Sequence, residues 1–442
     1  MRASSKFKSS IKHRASVVSR GAARSAPRKG PDMSVSQLGL VLLVACLVAI
    51  ASRRLRLPYS AGLVAAGVCL ALLGGSMNLV VTPDLIYTVL LPPLIFEAAL
   101  QLKWQPFRDD LPVTVTLAFP GVLLTGAIIA TGMHFVVGWG WLGSALFGAL
   151  IAATDPVSVV AAFKEMEVEP RLSLLVESES LLNDGAAAVA FAILVSVAHG
   201  AGLQAGAMAG SLFWMVLGGI AIGLLAAGGA LLVAGRTDDH LVEITLTTIA
   251  AYGSFLLAEH FHTSGVLATL AAGLVVGNVG WTGWMDCSIS SSGREHLISF
   301  WEYAAFLSNS VVFILIGGYE ASQASRLFTA AAALAIGLVL IGRVAAVYPL
   351  CALFALSKLK VDIRYQHVLV WGGLRGALAL ALALAVPDSV PEKGAIIIAA
   401  FAVVAFSIFA QGLTMPRLIK VLDLKRKVEA VSVDVEGRRA AE

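Results

Sequence analysis

Apolar runs of about 20 residues, each long enough to cross the hydrocarbon core of a bilayer, recur along almost the whole chain. Lipid offers no water to bond an exposed backbone, so such runs must satisfy their own N–H and C=O groups and fold as helices. About thirteen spans are predicted, at roughly 34–52, 59–75, 83–102, 111–132, 141–163, 173–198, 207–235, 240–258, 263–280, 297–318, 327–356, 365–385 and 394–415. The chain is 58% hydrophobic and 14% charged, whereas a soluble domain is nearer a quarter charged. The expected fold class is an all-α polytopic membrane protein. Its transmembrane domain covers 34–415, after a basic extension over 1–33 and before a short tail over 416–442. Cys46, Cys69, Cys287 and Cys351 stand apart with no CxxC pair, and read as small apolar residues rather than metal ligands or a disulfide framework. A net charge of +4 gives no reason to expect a nucleic-acid partner, because the basic residues follow topology.

Cytoplasmic connections of such chains are enriched in Lys and Arg. One alternate set carries Arg53, Arg54, Arg56, Lys103, Arg108, Lys164, Arg171, Arg236, Arg294, Lys358, Lys360 and Arg364; the other carries Arg326 and Lys393. The first set is therefore expected in the cytoplasm, together with the C-terminal tail that carries Arg417, Lys420 and Lys425. An odd number of spans then starts outside, which conflicts with residues 1–31, where nine Lys or Arg and seven Ser stand without an acid. Three explanations stay open: translation from Met33, a cleaved organelle transit segment whose composition this matches, or a tail of special topology. The expected location is a plasma membrane of the bacterial inner-membrane type, or an organelle membrane in the transit case.

Ionisable residues within spans are costly and usually functional. The fifth predicted span contains Thr154-Asp155-Pro156, and the sixth Glu179-Ser180-Leu181-Leu182-Asn183-Asp184. At 1.5 Å per helical residue both aspartates lie near the middle of a ~30 Å core. Pro156 removes a backbone donor and breaks its helix, which can leave carbonyls near Thr154 for a cation. Ser180 and Asp184 are four residues apart and share a helix face, while Glu179 points elsewhere. Asp155, Asp184, the Ser180 hydroxyl and the Thr154 carbonyl form an oxygen set suited to a hard alkali cation. Two close carboxylates repel, so a proton and a cation compete for one place. The bland alternative, in which each acid is paired and only ties helices together, is outweighed by two acids at matched depth beside a helix break.

Of the 32 basic residues, only Arg343 and Arg375 remain inside spans once loops and tails are assigned. Arg375 sits in Gly372-Gly373-Leu374-Arg375-Gly376, a Gly-interrupted span in the second half of the chain that corresponds to the Pro-interrupted span in the first. It is expected to stabilise the crossing of these helices. Glu179 is expected to pair with Arg343, with Arg375 as the alternative partner.

These residues, with Leu91-Pro92-Pro93-Leu94-Ile95-Phe96-Glu97, Ala153-Thr154-Asp155-Pro156-Val157, Glu179 to Gly185, Phe300-Trp301-Glu302 and Gly372 to Ala377, resemble the NhaP/NHE-like branch of monovalent cation:proton antiporters, over about residues 34–420. Any one motif is weak; all of them in this order are specific. The resemblance implies thirteen helices in an inverted repeat, two discontinuous helices that cross, and a homodimer with a mobile six-helix core. It implies a sodium/proton exchanger rather than an enzyme, with no cofactor and with Na⁺ (or Li⁺) and H⁺ as cargo. It implies Na⁺ ligation at Asp155, Asp184, Ser180 and Thr154, with Glu179 nearby through water. Ser178 departs from the pattern, where relatives usually have glycine. In the related electrogenic branch the position of Asn183 is a second aspartate, so the resemblance implies one cation exchanged per proton.

Glu97 is expected at the dimer side or a lipid contact rather than in transport, and Glu302 at a helix end. Asn309 and Ser310 are read as helix-packing residues. Glu165, Glu167, Glu169 and Glu177 read either as a solvated loop or as a cation-attracting inner entrance. The same-class rival is K⁺/H⁺ exchange, because the ligand types are identical. An intramembrane aspartyl protease would need Gly-x-Gly-Asp and Tyr-Asp motifs; here Asp184 follows asparagine and Asp155 follows threonine. A channel would repeat a filter loop, and a sensor would carry a soluble output domain; neither pattern is present in this sequence.

Overall fold

The computed structural model describes residues 35–55, 58–73, 84–200, 205–279, 289, 291–322 and 329–424. The expected extension over 1–33, and the tail beyond Leu424, lie outside the described residues. Those described are helical with short connections, and no strand occurs among them. In chain order the helices are α1 (Val35–Leu55), α2 (Tyr59–Leu72), α3 (Leu91–Gln101), α4 (Trp104–Gly132), α5 (Trp141–Ala152), α6 (Val157–Met166), α7 (Pro170–Ala198) and α8 (Ala205–Ala234). They continue with α9 (His240–His260), α10 (Gly265–Asn278), α11 (Ser291–Ser322), α12 (Ala330–Ala352), α13 (Ile363–Trp371), α14 (Ala377–Leu384), α15 (Lys393–Phe406) and α16 (Leu413–Val421). Single π-helical segments lead into α3 (Leu85–Leu90), extend α4 (Met133–Val137) and join α15 to α16 (Ser407–Gly412). Seven of these helical stretches are long and apolar enough to cross a membrane. Shorter apolar helices, together with the end-to-end pairs α5–α6 and α13–α14, account for the remaining predicted spans. The final helix runs through Pro416 to Val421, so residues 416–421, expected in the tail, are helical. Leu424 is buried, and its carbonyl accepts from the Glu169 amide at 3.3 Å.

The helices sort into two bundles by their packing. In one, α10 lies against α3, α8 and α9, and α2 lies against α11. Here Gly67 and Gly317 face each other so closely that a Cβ on either would strike the opposite backbone, the small-residue contact that membrane helices use to approach. In the other, α4 packs on α5, α7 and α12, and α12 packs on α15. The second bundle holds both broken spans.

The breaks occupy residues 153–156 and 373–376, which lie outside the helices on either side, and the two cross. The Asp155 amide donates to the Leu374 carbonyl at 2.7 Å. Arg375, 1% exposed, donates from Nη1 to the carbonyls of Ile151 and, at 3.0 Å, Ala153. Its charge therefore sits at the C-terminus of α5, where unpaired carbonyls carry the negative end of the helix dipole. The break in the second span is satisfied from the last helix. The Arg375 amide donates to Ser407 Oγ at 3.1 Å, and Gln411 Nε2 donates to the Trp371 carbonyl at 3.0 Å. Ser407 and Gln411 lie in the π-helical segment, whose wider turn re-aims side chains.

The second buried arginine fastens α12 to α7 and α13. Arg343 donates from Nη1 and Nη2 to the two Glu179 oxygens at 2.7 and 3.0 Å, and from Nε and Nη2 to the Leu369 carbonyl at 3.2 and 3.1 Å. Leu369 is in the last turn of α13, so this arginine answers that helix's C-terminus as Arg375 answers that of α5.

Gly376 leaves no room for a side chain: a Cβ there would fall within 2.6 Å of Asp155 Cγ. Gly376→Ala is expected to lower the unfolding temperature in detergent. Gly337→Ala in α12, where a Cβ meets open space, is expected to raise it, since alanine favours a helix over glycine by about 1 kcal/mol. Removing one member of the buried ion pair with Glu179→Leu leaves an uncompensated charge and is expected to cost about 3 kcal/mol or more. Adding Arg343→Met is expected to recover part of that loss, read by the same thermal unfolding.

Candidate functional site

The crossing places two helix N-termini, those of α6 and α14, beside Asp155. The Val157 amide, first in α6, donates to Asp155 Oδ1 at 2.9 Å, and Gly376, the N-cap of α14, abuts the same carboxylate. Exposed amides and the positive dipole ends suit an anion at this point. Asp184 enters from the middle of α7, within electrostatic reach of Asp155, Glu179 and Arg375. Both aspartates are half-buried, and both face a cleft of about 70 Å³.

That cleft lies between the two bundles. One wall is the break and α14, with Thr154, Asp155, Gly376 and Ala377, together with Asp184 on α7; the other is α3 and α11, with Leu94, Glu97 and Asn309. Asp155, Asp184 and Thr154 are thus brought to one cavity. Ser180 and Asn183 stand behind it. Ser180 Oγ is 3.0 Å from Thr154 Oγ1, and Asn183 Nδ2 donates to Thr154 Oγ1 at 3.3 Å and to Glu179 Oε1 at 3.1 Å. A Ser180 ligand would exchange its Thr154 bond for the ion. The carbonyls that Arg375 takes are those of Ile151 and Ala153, both just before Thr154, so the expected Thr154 carbonyl ligand is not among them. Glu179, expected near the ion through water, is 1% exposed, meets Arg343 rather than Arg375, and does not line the cleft. Ser178 donates to the Leu174 carbonyl at 2.6 Å and lies 3.3 Å from Thr114 Oγ1, so the departure from glycine is used to join α7 to α4.

Glu97 differs from its expectation: it lines the cleft with the two aspartates rather than facing lipid. The Phe96 and Trp301 rings, 4.4 Å apart, hold α3 on α11, and Trp301 Nε1 is anchored on Thr247 at 3.1 Å. With Phe96 turned into that bundle, the next residue turns toward the cleft. The sequence signal was available, since Glu97 is an acid in an apolar span one turn beyond Pro92-Pro93. Asn309 is likewise on the cleft wall, whereas Ser310 is 2.7 Å from Tyr59 Oη and serves packing. Ser407 and Gln411 were missed. Their trace in the sequence is a polar pair four residues apart in an otherwise apolar span. Among the described residues no group of three or more His, Cys, Asp or Glu has the arrangement of a multidentate metal site.

Comparison with known proteins gives the same outline. The family model described as "Sodium/hydrogen exchanger, transmembrane" matches residues 40–421. The chain is 37% identical over 396 residues to the Na(+)/H(+) antiporter NhaS2 of Synechocystis, covering 89% of this chain and 71% of that one. It is 39% identical over 401 residues to the Na(+)/H(+) antiporter ApNhaP of Aphanothece halophytica, covering 88% and 74%. In fold it is similar to the sodium proton antiporter MjNhaP1 from Methanocaldococcus jannaschii at pH 8, with a TM-score of 0.71 at 20% identity over 88% of this chain and 98% of that one. A family match over most of the chain, on a fold whose two broken spans cross at paired aspartates, decides the assignment: the chain belongs to the sodium/hydrogen exchanger family of membrane transporters.

Proposed function

We propose that this chain exchanges Na⁺ for H⁺ across its membrane by alternating access, with the cation and the proton competing for Asp155 and Asp184. The observation that carries the reading is the single cleft, at the crossing of two broken spans, that both carboxylates share. Each carboxylate is acceptor-only when ionised, so a bare Na⁺ finds oxygens there, and a proton neutralises the same oxygens. An empty, doubly charged site is costly to carry through lipid, so the site crosses loaded with one cargo or the other, and this couples the two flows. The cleft between bundles gives the motion a boundary: the bundle with Arg375, Asp155 and Asp184 slides as a unit against the one with Glu97 and Asn309. Asn183 in place of a second acid supports one cation per proton, an electroneutral exchange. Li⁺ is expected to substitute for Na⁺, because the ligands are the same hard oxygens.

The reading extends to setting. The Lys- and Arg-rich connections and the C-terminal tail face the cytoplasm, and the transmembrane domain works as a homodimer in a plasma membrane. The second reading, K⁺/H⁺ exchange, rests on the same oxygen set and differs only in the size of ion the cleft prefers.

Reconstitution in vesicles with an internal pH dye tests this. Addition of Na⁺ or Li⁺ is expected to drive a pH change that an imposed voltage leaves unaltered. Asp184→Asn and Asp155→Asn are each expected to reduce it at least 100-fold with the protein still folded. Ser180→Ala is expected to raise the half-saturating Na⁺ several-fold, since it removes one ligand and not the charge. A response to K⁺ alone would transfer the assignment to potassium, a voltage-dependent rate would overturn electroneutrality, and an active Asp184→Asn would overturn the competition.

A further inference from the structure

The last turns of α3 line two recesses. Glu97 lines the aspartate cleft. One turn later Gln101 lines a wider recess of about 710 Å³ that also contains Lys103, Lys164 and Glu177. The Gln101 amide donates to the Glu97 carboxylate and reaches Glu302 at 3.5 Å. Three acids, Glu97, Glu177 and Glu302, therefore stand around this end of α3. Lys164, in the last turn of α6, lies within electrostatic reach of both Glu97 and Glu177. Its side chain is exposed, and among the described residues it makes no ion pair of 4 Å or less. It is an ammonium on a flexible stem, free to sample both acids and fixed to neither. The helix that bears it starts at the break beside Asp155, whereas Glu97 belongs to the opposite bundle.

We propose that Lys164 is a tethered counter-cation of the inner approach, sharing the carboxylates of Glu97 and Glu177 and competing with the sodium ion that enters from this side. The proposal rests on the exchange reading above and adds a residue that tunes it. The recess carries Asp109, Asp110, Glu167 and Glu177 beside Lys103, Lys164 and Arg171, and its acids attract cations through their field. A resident ammonium cancels part of that field and raises the sodium concentration needed to load the cleft. It acts by position, touching neither Asp155 nor Asp184, so it alters entry more than the maximal rate. A purely structural role at the helix C-terminus, where a basic residue answers the dipole, would change stability and leave entry alone.

Everted membrane vesicles, which present the cytoplasmic face to the medium, test this by titrating Na⁺ against the pH change. Lys164→Gln is expected to lower the half-saturating Na⁺ about 3- to 10-fold at low ionic strength with little change in maximal rate. The shift is expected to shrink as choline chloride is added, because salt screens exposed charges. Lys164→Arg is expected to keep the wild-type value. An unchanged or raised half-saturation in Lys164→Gln overturns the proposal, and so does a Lys164→Arg shift as large as that of Lys164→Gln. Should Lys164→Gln fail to accumulate, Glu177→Gln tests the same field from the acid side; a raised half-saturation supports the proposal and an unchanged one overturns it. Wild-type vesicles without a Na⁺-driven pH change would remove the exchange reading itself. Wild-type exchange with unshifted variants would remove only the role of Lys164.

Discussion

The structure depends on how backbone groups freed in mid-membrane are satisfied. Two helices stop and restart where no water is guaranteed, and each break leaves carbonyls and amides that lipid cannot bond. Arg375 answers the first break by donating to Ile151 and Ala153. Ser407 and Gln411 answer the second, and Leu374 and the Asp155 amide close the two on each other at 2.7 Å. With every C-terminal end met by a cation or an amide, the two N-terminal ends are left to face Asp155. The carboxylate is thus stabilised by dipoles built from the same break that exposes it. A continuous helix at either place would supply neither the cleft nor the field.

Much of this could be read from the residues alone. The number and placement of spans followed from apolar run length, because lipid permits few alternatives to helix. Asp155 and Asp184 were found by cost: an acid in an apolar span needs a reason. The Glu179 partner was legible as one of two arginines, since inventory had removed all other cations; the choice of Arg343 was not, because it depends on the side from which α12 approaches α7. Glu97 shows the limit more clearly. Its span was right, but the direction of one side chain on a helix covered on several faces is set by packing, here by Phe96 against Trp301, a contact about 200 positions away in sequence. Ser407 and Gln411 serve a break in another span, so their meaning appears only when both are in place.

The boundary between bundles carries the same logic to a larger scale. The arginines, the aspartates and both breaks belong to one bundle, tied internally by Arg343, Glu179 and the Arg171–Asp110 pair at 2.7 Å. Across the boundary the cleft wall on α3 is mainly Leu91, Leu94, Ile95 and Ala98, with Glu97 and the facing Asn309 as its polar points. A polar, cross-linked bundle thus meets a largely apolar wall at the cleft.

Asn183 ties this rigidity to charge counting. Its amide nitrogen donates to Glu179 and to Thr154 at once, which an ionised aspartate could not do. An acid at this place would set a second carboxylate against Glu179 and require Arg343 to serve both. The Thr154 hydroxyl would lose its donor, and the Thr154–Ser180 contact behind the cleft would have to rearrange. The asparagine is therefore more than a missing charge: it is the donor that lets Glu179 stay paired with Arg343 while leaving Asp155 and Asp184 as the acids at the crossing that face the cleft. An aspartate at this position would therefore disturb the buried Arg343–Glu179 lock as well as the residues behind the cleft.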